Sequence, residues 1–165
     1  MQNEGKKFEK DFKDSVPDDV WYYRFRDGTA TFYGGMEQDN GLRFQQSNIC
    51  DCELFMKQHG LFLLELKSHM GKSLPYSVFK EEHLKELAKA LNYGIATGAV
   101  INMREVGKTY FLSTDAIIEH MNTSGRKSIP LDYMRERGYR LKAEQKRVRW
   151  RYDVKDMIEQ IRLDR

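Results

Sequence analysis

An acid at Asp51 and a Glu65-Leu66-Lys67 triplet fourteen residues later are the part of this chain best suited to chemistry. Both sit in apolar, β-rich runs, residues 49–56 and 61–67. Taking a carboxylate and an ammonium into a largely buried strand costs several kcal/mol unless each meets a partner or a metal. On a strand Glu65 and Lys67, at i and i+2, face one side while Leu64 and Leu66 face the other. If the two runs pair antiparallel through the tight Lys57-Gln58-His59-Gly60 turn, Asp51 joins that face from its own strand. Two carboxylates that close raise each other's pKa, and a divalent cation removes the conflict. Mg²⁺ is commonly held by one or two carboxylates together with waters and substrate phosphate, and Mn²⁺ is expected to substitute for it. Such a site can hydrolyse a phosphodiester without a covalent intermediate, with Lys67 orienting the water or meeting developing negative charge. Taken alone the pattern is weak, because a strand ending in Glu-x-Lys on a solvated face has the same spacing, and a surface ion-pair strip is the commoner cause.

The elements around these residues follow from periodicity. Phe8 and Phe12 stand at helical spacing and predict a short amphipathic helix ending before Pro17, with Glu9 beside its apolar stripe. Residues 20–25 read as a strand. Residues 26–47 are polar, with Gly28, Gly34, Gly35 and Gly41, yet carry Phe32, Tyr33 and Phe44. A stretch that long in one domain is usually functional or a projecting hairpin. Leu84, Leu87, Ala88 and Leu91 place a helix over residues 80–92 that carries His83. Strands are expected at 95–103 and 109–112, and a short helix from 114 through 121 with Thr114 as its N-cap. Residues 124–131 read as irregular, followed by a helix at 132–137, a strand at 148–152 and a closing helix at 154–163. This order describes an α/β fold: a mixed central sheet flanked by helices.

Composition sets limits. At 165 residues the chain is one domain in size, and 40% hydrophobic with 32% charged residues describes a globular protein. There is no 18-residue apolar run and no signal-peptide pattern at Met1-Gln2-Asn3-Glu4, so the expectation is a cytoplasmic protein without a membrane partner. Cys50 and Cys52 flank Asp51 on the expected strand and should point together to the face opposite it. A disulfide at that spacing is geometrically poor, and no zinc-ligand motif includes the pair, which leaves two buried thiols. The net charge of +3 is mild, but residues 126–151 hold ten basic side chains against three acids, a balance that suits a polyanion or a solvated basic surface.

In order and spacing, four segments resemble the RecU family of Holliday junction resolvases, within the PD-(D/E)xK nucleases. They are Asn3-x-Gly5-x-x-Phe8-Glu9, Asp51 with Glu65-Leu66-Lys67-Ser68, Ser73-Leu74-Pro75-Tyr76-Ser77, and Arg126-Lys127-Ser128-Ile129-Pro130-Leu131. The resemblance implies a restriction-endonuclease-like fold with a projecting stalk-like insertion at about residues 28–44. It also implies a homodimer that cuts four-way DNA junctions, and dealings with recombination proteins. Asp51 and Glu65 would be metal ligands and Lys67 the catalytic lysine, and Glu9 would be the helix acid directed at the metal, unless it is only an exposed helix glutamate. Ser47 and Asn48 would lie near the scissile phosphate. His83 stands where the family generally has glutamine, and belongs either to the site or to the surface. Phe32 and Tyr33 would stack on unpaired bases or pack the foot of the insertion. Arg126 and Lys127 with Arg147, Arg149 and Arg151 would contact phosphates. If a dimer neutralises roughly 6–10 phosphates, affinity falls about 10³–10⁵-fold between 50 and 200 mM salt. The rival readings are another nuclease of this superfamily acting on duplex or flap DNA, a junction-binding accessory factor that does not cut, and a structural module.

Overall fold

Five consecutive buried residues, Phe62 to Leu66, cannot all face one side of a strand, and the middle of the central strand of this protein is buried on both. The computed structural model describes residues 3–25 and 48–163. Along them run α1 (Glu4–Lys13), β1 (Trp21–Arg24), β2 (Cys52–Met56), β3 (Gly60–His69), β4 (Ser73–Pro75), α2 (Glu81–Leu91), β5 (Ala96–Met103) and β6 (Lys108–Ser113). Then follow α3 (Thr114–Thr123), β7 (Ser128–Pro130), α4 (Leu131–Arg137), β8 (Tyr139–Leu141), β9 (Ala143–Lys146), β10 (Arg149–Tyr152) and α5 (Val154–Leu163). Six strands form one mixed sheet in the order β1-β2-β3-β5-β6-β8. β3 and β5 are parallel, joined by the α2 crossover, and the other neighbours are antiparallel. This is a mixed α/β fold compatible with a restriction-endonuclease-like architecture. The stalk expected at about 28–44, with Phe32, Tyr33 and Ser47, lies outside the described residues.

The pleat sorts the core into two layers. Phe62, Leu64 and Leu66 of β3 pack with Phe8 and Phe12 of α1 and with Val154, Met157, Ile158 and Ile161 of α5. On the other face Ala99, Ile101 and Met103 of β5 pack with Leu84 of α2, Ala116 and Ile117 of α3, and Leu131 and Met134 of α4. Glu65 pairs across to Ala99 and Lys67 to Ile101, so both charges belong to the α2 face.

Several local expectations need correction. Asp51 is not on a strand: it lies in a bend one residue ahead of β2. The break in alternation also separates the cysteines, for Cys52 enters the α1-side core while Cys50 packs with Leu63 and Leu87. The N-cap of α3 is Ser113, whose hydroxyl accepts the Ala116 N–H at 3.4 Å, whereas Thr114 is buried and hydrogen-bonds Thr97 at 2.8 Å. Residues 124–131 are not wholly irregular. Ser128–Pro130 pairs antiparallel with Ser73–Pro75, which brings two of the recognised segments side by side. The strand expected at 148–152 is half of a β9–β10 hairpin.

Candidate active site

Backbone pairing assembles the site. The Asp51 N–H donates to Leu64 O at 3.1 Å and the Asp51 carbonyl accepts the Phe25 N–H at 3.0 Å, so β3 and the chain just past β1 hold the bend from both sides. With Cys52 opposite Leu64, Asp51 comes opposite Glu65. The Asp51 carboxylate is fixed as well: Oδ2 accepts the Leu66 backbone N–H at 2.7 Å. Lys67 Nζ reaches both acids, 3.7 Å from Asp51 Oδ2 and in direct contact with Glu65 Oε2. From α2, His83 Nδ1 lies 3.2 Å from Glu65 Oε1. The acid-lysine-acid arrangement expected from the spacing is therefore observed, and His83 belongs to the cluster instead of the open surface.

Electrostatics reinforce this geometry. Glu65 is only 5% exposed. Burial pushes the Asp51 carboxyl up, the Glu65 charge pushes it further, and Lys67 with the Leu66 N–H offsets part of the rise. Burial alone would lower the Lys67 ammonium, but the Glu65 and Asp51 charges outweigh it and hold the proton on more firmly. The nearby Cys50 thiol is pushed up to about 12, by burial first and then by Glu65 and Asp51. It stays a neutral thiol near pH 7, and a thiol is a poor nucleophile.

Two crowded carboxylates, one with its charge disfavoured, form the hard-oxygen donor pair that suits a divalent cation. Among the described residues no three His, Cys, Asp or Glu side chains close into a ligand cluster. Further oxygens would have to come from water and substrate.

The other expected residues are distributed more widely. Glu9 is ion-paired with Arg24 at 2.5 Å. Arg24 stands opposite Cys52, whose side chain enters the α1-side core, so this pair lies on the sheet face away from Glu65. Asn48 is half-buried three residues before Asp51. Arg126 and Lys127 are exposed beside the β4–β7 ribbon, which packs through Leu74 and Ile129 on the α2-side core. The later arginines are on the other side, on a hairpin packed against α1. Arg149 Nε contacts the buried Asp11 at 2.6 Å, Arg151 donates to the Asp14 carbonyl, and Arg147 forms the exposed tip with φ of 54°. The basic segment is thus not one continuous stripe: Arg135, Arg137, Lys142 and Lys146 are ion-paired to Asp132, Glu119, Asp156 and Glu144.

Two features of the described residues lie outside the sequence expectations. Trp21 and Tyr23 are 52% and 47% exposed and stacked with centroids 6.0 Å apart, and Tyr23 meets the Phe25 ring edge-on. The period-two aromatics at 21, 23 and 25 were the available signal. The second is a Tyr76 hydroxyl 2.6 Å from His120 Nδ1 and 3.1 Å from Ser124 Oγ, which ties the β4 side of the ribbon to α3 and has no local sequence signature. Neither the scan against protein-family models nor the search of curated proteins finds a match to this chain.

Proposed function

We propose that this chain is a Mg²⁺-dependent, structure-selective DNA endonuclease that resolves four-way junctions as a homodimer during recombination and repair. The observation that carries the reading is the Asp51, Glu65 and Lys67 cluster, two carboxylates from neighbouring segments with one ammonium reaching both. Support for a junction as the substrate comes from the four RecU-like segments, two of which pair as β4 and β7.

Asp51 and Glu65 would hold Mg²⁺, or Mn²⁺ in its place. When bound, the metal supplies a Lewis acid for the phosphoryl oxygen and a more acidic water. The chain's own residues do the rest. The Leu66 N–H keeps the Asp51 carboxylate in position, and His83 orients Glu65 from α2. Lys67, its proton held by the two acids, meets negative charge developing on the phosphate or orients the attacking water. Arg126 and Lys127, exposed on the same side of the sheet, would neutralise flanking phosphates. The Trp21–Tyr23 strip lies on β1, whose continuation at Phe25 hydrogen-bonds the Asp51 carbonyl, and offers a sequence-tolerant surface for unpaired bases. In a two-fold dimer one such site per subunit would cut two opposing strands.

The test is cleavage of an immobile four-way junction beside linear duplex of the same arms, with Mg²⁺ and with EDTA. Junction cleavage should be abolished by EDTA and reduced by at least ~10² in Lys67→Ala, as for loss of one charge-stabilising group. Equal cutting of linear duplex would point to a different nuclease, and junction binding without any cutting to an accessory factor.

A further inference from the structure

On the sheet face away from Glu65, a cavity of about 400 Å³ opens between α1, the ends of β3 and β5, and the β9–β10 hairpin. Its lining includes Ser68 and Asn102, the cations Lys7 and Arg104, the acids Glu4 and Asp11, and the rings of Trp150 and Tyr152. Ser68 follows Lys67 directly, yet alternation along β3 turns it to the α1 side with Leu66. This space is therefore separate from the proposed catalytic cluster.

Its polar groups are incomplete. Ser68 Oγ and Arg104 Nε are both buried with no hydrogen-bond partner among the described residues. Leaving such groups unsatisfied costs about 1–3 kcal/mol each, and more for a charged one. Asp11, also in the lining, does not answer Arg104, because Arg149 neutralises it at 2.6 Å. A guanidinium with an unused N–H, a lysine and a hydroxyl together suit a phosphate. A bare phosphate would leave most of the volume and the Trp150 ring unused, whereas a base against Trp150 would fill that space. Asn102 Nδ2 already donates to the Tyr152 hydroxyl at 3.1 Å, which holds that ring in place.

We infer that this cavity binds a nucleoside monophosphate unit, with its phosphate on Arg104, Lys7 and Ser68 and its base against Trp150. The unit is either a free nucleotide or an unpaired terminal nucleotide of a strand.

With Trp21→Phe, Trp150 becomes the sole indole, and its fluorescence reports the cavity. Thymidine 5′-monophosphate should change that signal saturably, while thymidine and inorganic phosphate each require at least about ten-fold higher concentration. Arg104→Ala should weaken the monophosphate at least ten-fold and leave thymidine unchanged, with circular dichroism establishing that the variant is folded. No saturable signal with the monophosphate, or equal affinity in Arg104→Ala, would overturn the inference. A 5′-phosphorylated hexathymidylate binding at least ten-fold tighter than the monophosphate would identify a strand end as the source. Equal binding would identify the free nucleotide. Because Asp51→Asn leaves the cavity untouched, the same titration in that variant separates this inference from the nuclease reading.

Discussion

At the level of single residues, the cluster has a stability signature as well as a catalytic one. Asp51 has a raised pKa in the folded state, so folding disfavours its charged form. The penalty is absent below the ordinary aspartate value of about 3.9 and grows as pH rises from there through the elevated folded value. Asp51→Asn should therefore stabilise the protein by about 0.5–2 kcal/mol at pH 7, with the gain gone below about pH 4. Urea melts at the two pH values check this, and a destabilised Asn variant at pH 7 would contradict it. Lys67 has the opposite role. Its proton is held more firmly in the folded state, so its contribution is complete below the ordinary lysine value and is lost only as pH rises through the elevated one. Lys67→Ala leaves Asp51 and a nearly buried Glu65 facing each other, and should cost about 1–3 kcal/mol at pH 7, less than the ~3–5 of a fully enclosed pair. As Asp51 takes up its proton toward acid pH the loss should shrink, which the same melts would show. The sequence made Glu65 and Lys67 legible because strand alternation alone puts i and i+2 together. It could not reveal that His83 meets Glu65, since that depends on where the α2 crossover sets its helix.

At the level of elements, the basic C-terminal third divides into two kinds of arginine. Arg149 locks the β9–β10 hairpin to α1 through Asp11, which is only 2% exposed. Arg149→Ala would strand that carboxylate and should destabilise by about 2–4 kcal/mol. Arg126→Ala with Lys127→Ala removes exposed side chains and should stay within about 0.5 kcal/mol of wild type in the same melts. In salt titrations of junction binding the order reverses: the Arg126/Lys127 double variant should lower the slope of log K against log salt by about 2 per subunit, about 4 for the proposed dimer. An unchanged slope would remove these residues from the phosphate contacts. A charge count along the sequence cannot separate these roles, because the partner of Arg149 lies on the first helix. Periodicity located the major helices and the β2, β3, β5 and β6 strands. The three-residue strands β4, β7 and β8 were invisible to it, being too short to show a period and dependent on partners distant in sequence.

For the molecule as a whole, one sheet separates two surfaces. The α2 face carries Asp51, Glu65, Lys67 and His83 with Arg126 and Lys127 at its border, and the α1 face carries the nucleotide-sized cavity and the hairpin. The α/β class followed from the order of periodic segments, but the assignment of each charge to a face required the register of β3 against β2 and β5. No described helix is long and apolar enough to cross a membrane. Whether the paired carboxylates serve metal-dependent cutting of branched DNA is tested by cleavage of an immobile four-way junction by wild type and Asp51→Asn, each with Mg²⁺ and with EDTA. Wild type should cut with Mg²⁺ alone, and the Asn variant should be folded, bind the junction at least as tightly and not cut. Cutting that survives in EDTA or in the Asn variant would contradict that role for the paired carboxylates.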